Sequence, residues 1–244
     1  MRLEGQVALI TGVSHAGQVG YALARAFARE GALLAISART ASRVNARAEA
    51  LRAEGDRVIA IPADLTTEEG ADTLIQGALA AYGRINILVN LAGGLTKYGP
   101  PDELTLSEWE AELNNNLGST FLCTRAVWPV MKSQGNGKIL NFSRAGGVHS
   151  SGPMMLAYNC AKAGIDALTS TFARAGKEFG IAVNAIGPGL ITTQANVESM
   201  KPTAEEIHAK WVSMEHLVAA ALFLVSPAGD GVNGVVLSVQ GKGI

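Results

Sequence analysis

Seven short apolar runs recur along the chain, and longer amphipathic stretches separate them. The runs fall at residues 6–11, 33–38, 57–63, 85–90, 137–143, 181–186 and 234–239. Their hydrophobicity is nearly continuous, as in strands buried on both faces. Stretches such as 21–31 and 41–55 place apolar residues at helical spacing and end on a glycine. Strand–helix alternation over the whole length predicts an α/β domain. It is a doubly wound parallel sheet of about seven strands with helices on both faces. No linker, repeat or low-complexity tract interrupts it, so residues 1–244 read as a single domain. In such sheets ligands bind beyond the carboxyl ends of the strands, where strand order reverses. Functional residues are therefore expected just after a strand or early in the next helix.

Composition narrows the function. Lysine and arginine number 20, aspartate and glutamate 21, and the net charge is −1. A nucleic-acid binder would carry a basic excess. Cys123 and Cys160 are too few for a disulfide framework and lack metal-ligand spacing. They read as two small buried hydrophobes in a reducing compartment. The chain shows no signal-peptide pattern, and its longest strongly apolar run, 217–225, falls short of the roughly 20 residues of a membrane span. The expectation is a soluble, cytoplasmic, metal-free protein.

The first strand leads into a glycine-rich turn with Gly12, Gly17 and Gly20, and a helix follows. Such a turn lets backbone approach a pyrophosphate, which the helix N-terminus then attracts. Alone it could be a plain connection; its position raises its weight. Tyr158 and Lys162 lie four apart in a long helical pattern after the fifth strand, hence on one face. A free phenol has a pKa of about 10, and a nearby ammonium is expected to lower it. Tyr158 would then serve as acid or base at a carbonyl or alcohol oxygen.

With the glycine turn and the Y-x-x-x-K pair, the chain resembles the short-chain dehydrogenase/reductase family nearly end to end. The resemblance implies a Rossmann-like sheet and a nicotinamide cofactor. The family turn is T-G-x-x-x-G-x-G. Thr11 to Gly20 is two residues longer, with Val19 and Gly20 matching the last two positions and Gln18 standing where a glycine is expected. Gly12, Ser14, His15, Gly17, Val19 and Gly20 are the candidates to hold the phosphates. At the tip of the second strand the family's NAD-selecting aspartate is replaced by Ala38, followed by Arg39. Loss of the carboxylate and gain of a guanidinium favour the 2′-phosphate of NADP(H) over NAD(H), with Arg43 and His15 assisting. Both arginines could instead be solvated helix-start charges.

The resemblance assigns Asp64 and Leu65 to the adenine side, although Asp64 could simply cap a helix. "NLAGG", 90–94, resembles the family's N-N-A-G with Leu91 replacing the second asparagine; it contributes Asn90, Ala92 and Gly93. Asn90 could equally be structural. "IGPGLITT" matches P-G-x-x-x-T, placing Pro188, Gly189, Ile191 and Thr193 at the nicotinamide end. Asn116 matches the asparagine of a kinked helix in the family's proton relay, with an interior asparagine satisfied by backbone as the alternative. Lys162 gains a second role, holding the nicotinamide ribose, so Tyr158 and Lys162 both also count as cofactor residues. The catalytic serine is out of register: counting from Asn141 lands on Arg144, and counting back from Tyr158 lands on Ala145. Ser143, at the carboxyl end of the fifth strand, is preferred over Ser150 and Ser151, which sit beside Gly152 and Pro153 like turn residues. Gly146 and Gly147 could absorb the extra residue.

These readings converge on an NADP(H)-dependent oxidoreductase of 3-oxoacyl-reductase type, acting on a small carbonyl or alcohol substrate. Tyr158, Lys162, Asn116 and Ser143 form the catalytic set. Residues 190–211 are expected to form a substrate lid. A homotetramer or dimer is expected, although "VQGKGI" replaces the usual D-G-G ending. The rivals are enoyl reduction, raised by the long first turn but opposed by the close tyrosine–lysine spacing, and a nucleotide-binding sensor without turnover.

Overall fold

The structure is a computed structural model and describes residues 1–145 and 152–242. Gly146, Gly147, Ser150 and Ser151 lie outside the described residues. The strands are β1 (Val7–Thr11), β2 (Leu33–Ala38), β3 (Val58–Pro62), β4 (Ile87–Asn90), β5 (Gly137–Phe142), β6 (Ile181–Pro188) and β7 (Val236–Val239). They form one seven-stranded sheet in the order β3-β2-β1-β4-β5-β6-β7, every pair parallel. All seven expected strands are present, with ends moved by one or two residues.

Alternation within each strand explains the continuous apolar runs. In β1, Ala8 and Ile10 join one core and Leu9 the other. The first core is closed by α1 (Val19–Arg29), α2 (Ala41–Ala53) and α9 (Met214–Val225) through Leu23, Phe27, Val44, Leu51 and Leu217. The second is closed by α3 (Glu68–Tyr82), α5 (Ser119–Gln134) and α6 (Leu156–Gly176) through Leu74, Ile75, Val127, Met131 and Ala173. Each of these side chains except the smaller Ala173 stabilises the fold by about 1.5–3 kcal/mol before its ordering entropy is counted. β7 differs from the rest: as an edge strand its four residues are exposed or half-buried, Val236 among them.

The first two helices stop at the expected glycines. Gly31 (φ 89°) and Gly55 (φ 94°) turn the chain through a left-handed conformation that side chains resist. Helix α4 (Leu106–Leu113) runs into α5 through a π-helical turn, Asn114–Gly118. The π-helical turn falls where the resemblance implies a kinked helix. Residues 190–211 fold as α7 (Gln194–Met200) and α8 (Ala204–Lys210), neither of which buries a residue. Their root is pinned where Val212 N–H donates to Leu190 O (2.7 Å) and Thr192 N–H to Val212 O (3.0 Å).

One expectation fails on packing. Cys123 is buried, and burial pushes its thiol up to about 12, but Cys160 is exposed. Helix α6 turns Ala157, Ala161 and Ile165 inward, so the cysteine beside Ala161 faces out. Among the described residues, no helix is long and apolar enough to cross a membrane.

Candidate active site

Strand order reverses between β1 and β4, and the turns that follow these strands meet there. Thr11 ties them together: its hydroxyl donates to Val89 O (3.1 Å) and accepts from the N–H groups of Leu91 (2.9 Å) and Ala92 (3.0 Å). A Cβ on Gly12 would lie 3.1 Å from Ala92 N, and one on Gly20 would lie 2.6 Å from Gly12 O. Both positions therefore require glycine for packing. At the start of α1, Gln18 gives no side-chain cap and no acid occupies the first turn. Those N–H groups stay available to an anion. Gly17 faces elsewhere: its carbonyl accepts from Gln194 N–H (3.1 Å), and a Cβ there would meet Gln194 Oε1 at 2.6 Å. The longer turn thus rests on the segment after β6.

A cleft of about 270 Å³ opens over these turns, lined by Gly12, Ser14, Ala92 and Gly93 on one side and by Ala38, Arg39, Arg43, Asp64 and Leu65 on the other. His15 is exposed and not among the lining residues. Val19 is buried at the start of α1, its side chain in the core. Asp64 Oδ1 accepts from the Thr66 hydroxyl (2.7 Å) and N–H (3.1 Å). These bonds, with a smaller contribution from Arg39, hold its carboxyl below the usual carboxylate range. The cap of α3 is Thr67, which accepts from Gly70 N–H, so Asp64 is not the cap. Asn90 is buried, and its amide donates to Thr124 Oγ1 (3.0 Å) and Asn141 Oδ1 (2.9 Å). Its side-chain donor serves the interior. A larger cavity of about 500 Å³ lies among Arg2, Lys138 and Asp230, at the amino ends of the strands and away from this cleft.

Tyr158 and Lys162 stand one turn apart on α6, with Lys162 Nζ 5.3 Å from the phenol ring centroid. Lys162 is buried and donates from Nζ to Phe142 O (2.8 Å), at the end of β5. Burial pushes its ammonium down to about 8, against the smaller pull of Glu112 and Asp166. The expected lowering of the phenol is not found. Burial raises the Tyr158 pKa, Arg144 opposes this, and Glu112 adds to it. The reason is that the pair sits deep enough for desolvation to outweigh charge pairing.

Asn116 lies inside the π-helical turn, fully buried. Its Oδ1 accepts from Gly94 N–H (3.0 Å), and its Nδ2 donates to Gly94 O (3.1 Å), Glu112 O (3.0 Å) and Glu112 Oε1 (3.2 Å). Its carbonyl accepts from the hydroxyls of Ser119 (3.1 Å) and Thr120 (2.8 Å). Ser143 is buried, and its hydroxyl donates to Lys162 O (3.3 Å). Arg144 Nη1 donates to Asn159 Oδ1 (2.8 Å). The loop after β6 closes the site. Pro188 O accepts from Ala145 N–H (3.0 Å), and Gly189 N–H donates to Val239 O (2.8 Å). Ile191 bridges to Val212, and Thr193, buried, caps α7 by accepting from Asn196 N–H (3.2 Å). Sequence reasoning missed Glu112, a fully buried acid. Its signal was a glutamate four residues before Asn116, on the same helix face.

The family model described as short chain dehydrogenase matches residues 6–204. The chain belongs to the short-chain dehydrogenase/reductase family. It is 31% identical to glucose 1-dehydrogenase 2 of Bacillus subtilis, covering 98% of this chain and 95% of that one. It is 32% identical to 3-oxoacyl-[acyl-carrier-protein] reductase of Synechocystis, covering 98% and 97%. The crystal structure of gox2181 superposes with a TM-score of 0.90 at 27% identity, covering 99% and 96%. As a short-chain dehydrogenase/reductase the chain is an oxidoreductase acting on a CH–OH or C=O group with NAD(P).

Proposed function

We propose that the protein is an NADP(H)-dependent ketoreductase that interconverts a carbonyl and an alcohol, with 3-oxoacyl-type substrates foremost. The observation that carries this reading is the half-buried Tyr158 phenol one turn from Lys162, at the carboxyl edge of the sheet. A nicotinamide dinucleotide fits the residues present. Gly12 and Gly20 let the turn pack closely against the backbone after β1 and β4, the α1 N-terminus is uncapped, and Arg39 and Arg43 line the far end of the cleft where no carboxylate follows Ala38. The bound cofactor supplies the hydride.

The chain's own residues handle orientation and the proton. Arg39 and Arg43 offer guanidinium donors to a 2′-phosphate. Gly12, Ser14, Gly17, Val19 and Gly20 belong to the turn that would receive the pyrophosphate, and Asp64 and Leu65 flank the adenine end. Ala92 and Gly93 line the cleft, with Asn90 at the strand end before them, and Pro188, Gly189, Ile191 and Thr193 shape the nicotinamide end. In reduction Tyr158 Oη gives its proton to the carbonyl oxygen; in oxidation it receives one. Lys162, held by Phe142 O, orients the pair, and Asn116 holds the loop after β4 at Gly94. Ser143 and Arg144 are the donors placed to hold the substrate oxygen. Residues 190–211 act as the lid.

The likeness to a 3-oxoacyl reductase supports this substrate class, and the likeness to a glucose dehydrogenase keeps polyol carbonyls in the test. We also read the protein as a cytoplasmic homo-oligomer, dimer or tetramer, because Leu106 and Phe121 stand exposed on α4 and α5. The test follows nicotinamide absorbance with NADPH and with NADH against ketones, 3-oxoacyl thioesters, sugars and enoyl thioesters. Turnover of carbonyls with NADPH is the expected result. Turnover of enoyl thioesters alone would replace the reading, and binding without any turnover would favour a nucleotide sensor.

A further inference from the structure

Glu112 is a charged side chain with no exposure to solvent, set in α4 against α6. No lysine or arginine pairs with it among the described residues. Its partners are donors. Oε2 accepts from the N–H groups of Thr96 (3.0 Å) and Lys97 (3.1 Å) and from the Thr96 hydroxyl, while Oε1 accepts from Asn116 Nδ2 (3.2 Å). Three of these four partners are N–H groups that only donate, and the Thr96 hydroxyl completes the set, so both carboxyl oxygens are hydrogen-bonded. Burying such a group costs several kcal/mol unless its hydrogen bonds are complete.

The place of the carboxylate gives it a second consequence. The loop it holds, Gly94 to Lys97, follows β4 and is also held by Asn116, and Gly99 N–H donates to Met154 O (2.9 Å) just before α6. Glu112 and Asn116 therefore hold, from both sides, a loop whose next residues are tied to the segment that leads into α6 and Tyr158.

We propose that Glu112 is a positioning residue of the Tyr158–Lys162 pair, anchoring the loop after β4 through Thr96, Lys97 and Asn116 and standing as the buried negative neighbour of the pair. This rests on the ketoreductase reading for the role of the pair, but not for its test. Among the described residues, three charged or titratable groups act on the pair. Arg144 acts on Tyr158 from the loop after β5; Asp166 acts on Lys162 from α6; Glu112 acts on both from α4. Lys97 turns its ammonium away, to Glu108 Oε1 at 2.7 Å. Glu112 thus favours the protonated form of both catalytic groups, the form that donates a proton in reduction.

The test titrates tyrosinate absorbance, with the Tyr158 signal isolated by subtracting the matching Tyr158→Phe protein, so no turnover is needed. Glu112→Gln keeps the shape and removes the charge. It should lower the Tyr158 midpoint and speed amide exchange at Thr96 and Lys97. Glu112→Asp keeps the charge one methylene short. It should leave the midpoint near that of the wild type while exchange still quickens, and it carries the test if the glutamine variant does not fold. A wild-type midpoint in Glu112→Gln, with faster exchange alone, reduces Glu112 to a loop anchor and overturns the proposal. Wild-type exchange in Glu112→Asp overturns the anchoring. Failure of the ketoreductase reading would appear separately, as absence of carbonyl turnover by the wild-type protein.

Discussion

Lys162 Nζ donates to the Phe142 carbonyl at 2.8 Å, so the last residue of β5 holds a buried ammonium beneath the Tyr158 phenol. Burial moves that ammonium from its ordinary 10.5 to about 8, and this has a consequence for stability. Below pH 8 the lysine is charged in both the folded and unfolded states, and the cost of burying it is fully present. Between pH 8 and about 10.4 the unfolded chain keeps the proton that the folded chain has lost, so stability rises with pH. The rise amounts to about 3 kcal/mol. Lys162→Met should lack it, and denaturant unfolding at pH 7.5 and 10 would measure the difference. At neutral pH the variant should be close to wild type in stability, because relief of the burial cost offsets a lost charged hydrogen bond of about 1.5–3 kcal/mol. Turnover and cofactor affinity should both fall.

Tyr158 leads to a different pH dependence. Burial raises its pKa above the ordinary 10, so the phenol holds its proton across the neutral range. Reduction needs that proton and should be flat from about pH 6 to 8, where Lys162 keeps its charge. Oxidation needs the proton absent and should rise about tenfold per pH unit over the same range. Tyr158→Phe should lower kcat by about 10²–10⁴ in both directions and leave the cofactor Kd unchanged. Initial rates in both directions with equilibrium titrations would check this; a near-normal kcat for the phenylalanine variant would remove Tyr158 from the chemistry.

The fold and half of the site are legible because they rest on periodicity and local spacing. Both cores need apolar residues on alternate sides of every central strand, so Val7 to Ile10 read as a buried strand without further help. Tyr158 and Lys162 share a face because they are four apart on a helix. What was not legible depends on three-dimensional neighbours. Asn90 meets Asn141 across a strand pair, a contact that only the sheet order creates. The rise of the Tyr158 pKa depends on depth, which spacing does not encode. Glu112 looks like a surface residue of an amphipathic helix until the loop of Thr96 and Lys97 closes over it. Cys160 reads as a core hydrophobe until the rotation of α6 is known.

Cofactor choice should follow from Arg39. No carboxylate follows Ala38 in the cleft, and Arg39 and Arg43 both line it. A charged hydrogen bond contributes about 1.5–3 kcal/mol. Arg39→Ala should therefore weaken NADP(H) by roughly ten-fold to over a hundred-fold and change NAD(H) little. Fluorescence titration of NADPH and NADH with both proteins would decide; equal wild-type affinities would end the NADP(H) assignment.

The donor that holds the substrate oxygen separates two neighbours. The Ser143 hydroxyl donates to Lys162 O at 3.3 Å, a long bond. To meet a substrate it must rotate away from α6. Arg144 is tethered to Asn159, and its charge already acts on the Tyr158 phenol. Loss of one such donor lowers kcat by about 10²–10³. We expect that fall in Arg144→Ala, with a smaller one in Ser143→Ala and cofactor affinity kept in both. Arg144→Lys separates shape from charge: it should restore the Tyr158 pH profile but little of kcat, since an ammonium does not reproduce the guanidinium fork. If Ser143→Ala instead shows the full loss and Arg144→Ala turns over normally, the hydroxyl does rotate to the substrate, as the position of Ser143 at the end of the fifth strand suggests. Loss in neither would mean that no donor in this loop holds the oxygen, and Tyr158 would then act alone on it.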